Sequence, residues 1–267
     1  MSAIEQCFRN LKSAGKKALI PFVTAGDPDL DVTVAVVKEL AARGCSLCEI
    51  GIPYSDPIAD GPVIQASYTR ALARQITVAE IMGRLRSVSQ SISMPLITMV
   101  SYAIILRHGL ARYVSEAKAA GIAGAIVPDL LVDEAAPLAE ICREEDFKLI
   151  QLVTPTTPRE RALRIAESST GFLYYVSITG ITGERRDLPA ELVDNVAWLR
   201  DQTDLPICIG FGISQVEHVR QLRDVADGLI VGSAFVRRIA AATQTSPEEA
   251  LADVGEFADT LLHALNG

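Results

Sequence analysis

Two carboxylates, Glu49 and Asp60, bracket the segment of this chain best suited to chemistry. Glu49 sits inside a short apolar run, Leu47 to Ile50, where an acid costs desolvation unless it is paired or used. The loop that follows carries Pro53, Pro57 and Pro62 and two further acids, Asp56 and Asp60. Two acids able to face one small molecule from different sides suit proton transfer. Each also has a plainer reading. Glu49 could be half of a buried ion pair, and Asp60 before Gly61 or Asp56 before Pro57 could simply form turns.

Other chemistries find little support. His108, His218 and His263 show neither triad nor metal spacing, and no G-x-S-x-G nucleophile motif occurs. Lys148 begins a strand rather than ending one, which weakens a Schiff-base reading. The five cysteines, Cys7, Cys45, Cys48, Cys142 and Cys208, are odd in number and scattered, so reduced, packed thiols are expected, the Cys45-x-x-Cys48 pair included. A net charge of −8 argues against nucleic acid as a main partner, although backbone amides could still hold a small phosphate. No apolar run approaches the ~18 to 20 residues of a membrane span, and residues 1 to 11 are mixed and amphipathic. A cytoplasmic, soluble protein without a metal is expected.

The elements that must position these acids alternate. Continuous apolar bursts at Ala18 to Thr24, Leu47 to Gly51, Leu96 to Val100, Ala125 to Val127, Leu149 to Val153, Phe172 to Ser177, Ile207 to Gly210 and Gly228 to Val231 read as parallel strands covered on both faces. Helical periodicity occupies Leu30 to Arg43, Leu110 to Ala120, Asp133 to Glu145, Pro158 to Ser168, Pro189 to Thr203 and Val216 to Asp224. Pro158 and Pro189 suit first helical turns. Eight such units in about 250 residues match an α/β TIM (β/α)8 barrel, expected to form one domain over 1–267. A doubly wound open sheet is the alternative. An extra N-terminal helix, Ala3 to Ala14, could cover the barrel bottom, and Ser246 with Glu249 forms a capping box for a closing helix reaching Leu265.

In a TIM barrel the reactive groups lie at the C-terminal strand ends. There Gly210, Gly212, Gly232 and Ser233 follow the last two strands, where phosphate sites are commonly built, although Gly210 and Gly212 could merely turn the chain. The loop after the sixth strand contains Gly180 and Gly183 and the charged run 184–187, which suits a lid with Gly183 closing on a phosphate. Tyr174 and Tyr175 are adjacent in that strand, so alternation sends one of them inward.

The runs 21–28 (PFVTAGDP), 49–62 (EIGIPYSDPIADGP) and 180–183 (GITG) resemble the tryptophan synthase alpha subunit family along essentially the whole chain. The resemblance implies retro-aldol cleavage of indole-3-glycerol phosphate to indole and glyceraldehyde 3-phosphate. It implies Glu49 as general acid–base at indole C3 and the side-chain hydroxyl, and Asp60 as partner of the ring nitrogen. Tyr174 matches the family tyrosine, Thr182 lies in the lid motif, and Phe22, Val100, Ile126 and Leu152 are expected to form the indole slot. Glu49 should titrate high in its apolar strand, while the Asp60 turn should be polar enough to keep that acid ionised. No cofactor is implied for this chain, pyridoxal phosphate being expected in the beta subunit of an αββα assembly, with Asp56 in communication between subunits. Ile104 and Ala123 depart from the family pattern, and Ile104 bears on docking. A free-standing lyase or a non-catalytic partner of the beta subunit are the alternatives.

Overall fold

The computed structural model describes residues 1–57, 60–177, 191–210, 212–243 and 246–267. In chain order its elements are α1 (Ala3–Ser13), β1 (Ala18–Thr24), α2 (Leu30–Ala42), β2 (Cys48–Gly51), α3 (Pro62–Ala73), α4 (Val78–Ser89), β3 (Leu96–Met99), α5 (Tyr102–His108), α6 (Leu110–Ala119) and β4 (Ile122–Ile126). They continue with α7 (Ala136–Glu144), β5 (Lys148–Ile150), β6 (Leu152–Val153), α8 (Arg159–Ser168), β7 (Leu173–Val176), α9 (Glu191–Arg200), β8 (Ile207–Gly210), α10 (Val216–Leu222), β9 (Gly228–Val231), α11 (Ser233–Ala241) and α12 (Pro247–Asn266).

All strand pairs are parallel, in the order β5-β4-β3-β2-β1-β9-β8-β7-β6. The two ends of that sheet belong to one stretch of chain, since Gln151 alone separates β5 from β6. The sheet therefore closes into a TIM-like barrel, and counting β5 and β6 as halves of one strand gives the expected eight. Gln151 stays within the structure: its N–H donates to Ser169 Oγ at 3.1 Å, and its carbonyl accepts from the Tyr174 N–H at 3.1 Å.

Strand alternation sorts the apolar residues into two clusters. One faces the helices and includes Leu19, Val23, Cys48, Ile50, Tyr175 and Ile209. The other fills the barrel interior with Ile20, Phe22, Leu47, Ile97, Met99, Ile126, Ile150, Tyr174, Cys208 and Ile230. Helix α1 closes the bottom of that interior with Ile4 and Phe8, the latter ring lying 5.7 Å from Phe172. Capping boxes start both terminal helices, Ser2 with Glu5 and Ser246 with Glu249.

Several boundaries differ from the expectation. Strand β4 begins at Ile122, not Ala125, because Gly124 is part of the strand: a Cβ there would lie 2.6 Å from the Lys148 carbonyl of β5. The helix expected from Asp133 is broken into a 3-10 turn, Val132–Glu134, and α7. Pro137 has no N–H to donate to the Asp133 carbonyl, so a helix begun at Asp133 would lack its first α-type hydrogen bond, and α7 starts at Ala136 with the proline in its first turn. Pro158 caps α8 rather than lying within its first turn, and Pro189 falls outside the described residues. Helices α3, α4, α5 and α11 were not among those expected from periodicity.

Candidate active site

Glu49 points into the barrel. Leu47 belongs to the interior cluster and Cys48 and Ile50 to the outer one, so the two-residue period turns Glu49 inward. Its register partners Phe22 and Ile97 are interior residues too. The side chain is 0% exposed, and among the described residues neither carboxylate oxygen has a hydrogen-bond partner. The ion-pair reading finds no partner among the described residues. Burial, followed by the nearby charge of Asp60, pushes the Glu49 carboxyl up to about 8.

Asp60 arrives from the loop between β2 and α3. Its N–H donates to the Pro57 carbonyl at 3.1 Å, closing a turn, and its carbonyl accepts from Gln65 Nε2 at 2.7 Å. The expected polar turn is not what surrounds the side chain. Asp60 is only 9% exposed, and burial pushes its carboxyl up to about 6. Removal of water by the strand ends and α3 outweighs the polarity of the local sequence.

Tyrosines surround the two acids. Tyr174 is the inward member of its pair, and Tyr175 packs with the outer cluster. Burial and then the charges of Glu49 and Asp60 hold the Tyr174 hydroxyl well above its usual range. Tyr68 was not singled out from sequence, yet it is 1% exposed within the interior cluster and feels the charges of Asp60 and Glu49 as well. Its ring lies 5.6 Å from that of Tyr54. The signal was the four-residue spacing of Ile64 and Tyr68, both interior residues on one face of α3, legible once that helix is recognised.

Phe22, Ile126 and Leu152 gather with this interior cluster, whereas Val100 packs with the outer one. On β3 alternation gives the interior to Ile97 and Met99, and Val100 follows on the opposite side. At the far side of Phe22 lies the start of α11. Gly232 is its N-cap and Ser233 its first residue, and a Cβ on Gly232 would lie 3.8 Å from Phe22 Cβ. Gly212 adopts φ +76°, a left-handed backbone that glycine takes without strain. Thr182 and Gly183, with the rest of the expected lid, lie outside the described residues.

Asp56 occupies the exposed rim, accepting from Ser55 Oγ at 2.6 Å. With Tyr54, Ser101, Ile104, Arg107 and Asp129 it lines a groove of about 640 Å³. Asp129 ties the rim together, accepting from Ser101 Oγ at 2.7 Å and the Tyr102 N–H at 2.8 Å. Leu106 and Leu131, more than half exposed, stand on the segments after β3 and β4. Ala123 is partly buried against the interior cluster.

The family model of the tryptophan synthase alpha chain matches residues 8–266. The chain belongs to the tryptophan synthase alpha chain family. A relative of that name from Rhodopirellula baltica is 54% identical over 276 aligned positions, spanning 100% of this chain and 99% of the relative. Another from Rippkaea orientalis is 44% identical across 99% of this chain and 98% of its own length. Among solved structures, the alpha subunit from Legionella pneumophila superposes with a TM-score of 0.90 at 32% identity, covering 99% of this chain and 98% of that one. A chain of Mycobacterium tuberculosis tryptophan synthase gives 0.90 at 29% identity, covering 100% and 99%. Within the family, no helix among the described residues of this member is long and apolar enough to cross a membrane.

Proposed function

We propose that this chain cleaves indole-3-glycerol phosphate to indole and glyceraldehyde 3-phosphate as a lyase of tryptophan biosynthesis. The observation that carries the reading is the fully buried Glu49, unpartnered among the described residues, beside a second buried carboxylate, with their titrations pushed to about 8 and about 6. Between those values the pair holds one proton, on Glu49, while Asp60 is ionised.

That charge state fits the reaction. Protonated Glu49 delivers its proton to indole C3, turning the ring into an electron sink. Ionised Asp60 accepts the ring N–H and stabilises the positive charge that develops on nitrogen. Glu49, now a carboxylate, takes the proton of the hydroxyl beside the breaking bond. The C–C electrons then flow into the ring, and indole and the aldehyde separate. Phe22, Ile126, Leu152 and Met99 supply apolar walls for the bicycle, with Tyr174 against the acids. Gly212, Gly232 and Ser233 offer backbone N–H groups to the phosphate at the start of α11, with Gly183, outside the described residues, as a further phosphate group. The step needs neither a metal nor an organic cofactor.

The rim around Asp56 and Ile104 suits a beta subunit in an αββα assembly, for it joins a groove to exposed leucines. The test is indole release from indole-3-glycerol phosphate by the purified chain, with beta subunit titrated in. Release that rises with the partner supports both statements. Release that ignores it supports a free-standing lyase, and none in either case removes the assignment.

A further inference from the structure

We propose that Gln65 is a positioning residue for Asp60, its side-chain amide fastening both ends of the turn that carries this carboxylate. The inference rests on the reading of Asp60 as the group beside the indole nitrogen.

Gln65 Nε2 donates to the Asp60 carbonyl at 2.7 Å and to the Pro57 carbonyl at 3.2 Å. The Asp60 N–H reaches the same Pro57 carbonyl at 3.1 Å, so one oxygen joins the turn to the helix. The Gln65 N–H bonds the Gly61 carbonyl at 3.0 Å, which seats the side chain in the first turns of α3. The helix is in turn anchored to the loop end of β1. Ser67 Oγ and Thr24 Oγ1 lie 2.7 Å apart, and Arg70 grips the buried Asp27 carboxylate through Nε and Nη2, each at 2.7 Å. A continuous path thus runs from the barrel wall through α3 and Gln65 to the Asp60 backbone. Among the described residues burial alone accounts for the raised titration of the Asp60 carboxylate, with no hydrogen bond contributing, so its aim depends on the backbone that Gln65 holds. The ionisable groups facing it are Glu49 from β2, Tyr54 from the same loop, Tyr68 from α3 and Tyr174 from β7. None is cationic. An Asp60 released from the clamp therefore gains water and loses no favourable charge.

The experiment compares the full chain with Gln65→Met, which keeps the length and loses the donor, and with Gln65→Glu, which sets a carboxylate against two carbonyls. In the presence of beta subunit, kcat for indole release should fall by about 10- to 100-fold, the scale of an ångström-sized misplacement, with KM changed far less. The acid limb of kcat should move to lower pH as Asp60 is hydrated. A merely structural role would reduce the folded fraction and leave that limb in place, which overturns the inference, as does unchanged kcat. Carbon-13 NMR titration of the Asp60 carboxyl supplies a readout independent of turnover, with a downward shift of about one unit expected in Gln65→Met. An unmoved titration overturns the clamp even if the parent enzyme is active. A shifted titration in a chain that releases no indole supports the clamp and removes the assigned reaction alone.

Discussion

The ring of Phe22 occupies the space that a side chain on Gly51 would need. A Cβ at Gly51 would lie 2.7 Å from Phe22 Cε2, collide with Cζ, and meet the Tyr68 hydroxyl at 3.0 Å. Because Phe22 pairs in register with Glu49, its ring must lean along β2 past the acid to reach that position. Its Cβ end faces Gly232. One aromatic side chain thus runs along the barrel mouth from the carboxylate pair to the start of α11.

Gly51→Ala should therefore displace that ring. Overpacking a close-packed site costs roughly 1–3 kcal/mol, and the displaced ring should also weaken binding of free indole. Gly83→Ala in α4 meets open space and makes the control. It should stabilise by about 0.5–1 kcal/mol and leave binding untouched. Thermal melting and indole titration of both variants decide the matter, and equal behaviour would remove the packing argument.

Glu49 makes the fold sensitive to pH in a definite sense. The folded chain keeps this proton up to about pH 8, whereas the unfolded chain releases it near the ordinary value of 4.5. The stabilising preference for the protonated acid is present in full below about 4.5 and is lost as pH climbs through about 8. Asp60 acts in the same sense between 3.8 and about 6. Glu49→Gln is neutral at every pH. It should match the parent in stability at pH 4 and exceed it at pH 9 by on the order of 5 kcal/mol. Urea melts at the two pH values test this, and a pH-independent difference would contradict the burial of the charge.

The start of α11 can be tested without disturbing the fold. Gly212, at φ +76°, would be strained by any side chain, so a substitution there mixes two effects. Gly232 has φ −103°, and a Cβ on it would meet Phe22 only at 3.8 Å. Gly232→Ala should leave melting nearly unchanged while its methyl group intrudes where an anion approaches the N–H groups. Glyceraldehyde 3-phosphate should bind about tenfold more weakly, roughly 1.4 kcal/mol, with free indole little affected. Calorimetry of both ligands is the measurement. Equal weakening would mean that the helix terminus does not hold the phosphate.

What the sequence made legible follows from how far apart the determinants lie. Strands β1, β8 and β9 have the bounds expected because each is an uninterrupted apolar run between turn residues. Inward orientation of Glu49 needed only the two-residue period. Helix α3 stayed hidden because Gly61 gives it no side-chain cap and its start reads as the tail of a proline-rich loop. With α3 went Tyr68 and Gln65, whose roles depend on contacts with β2 and with the turn before them. The raised titration of Asp60 was illegible for a related reason. A turn dipeptide states local conformation, but solvent exclusion is decided by side chains distant in sequence, here on α3 and the barrel strands.

Asp60 offers the sharpest test of the chemistry, because one substitution should move activity and stability in opposite directions. Asp60→Asn keeps the shape and an acceptor for the ring N–H while removing the charge that stabilises the protonated heterocycle. Turnover should fall about 10²- to 10⁴-fold, the usual worth of a positioned acid–base or electrostatic group. The parent should lose kcat/KM below about pH 6, where Asp60 takes up its proton, and above about pH 8, where Glu49 gives one up. In the variant the acid limb disappears. The alkaline limb moves to lower pH, because the Asp60 charge helps to hold the Glu49 proton. At pH 8 the variant should nonetheless melt higher by about 1–3 kcal/mol of stability, having lost a charge whose burial opposes folding. Kinetics and melting on the same preparations read all of these outcomes. Near-normal turnover, or an acid limb that persists without the carboxylate, would place the charge stabilising the ring nitrogen elsewhere in the barrel.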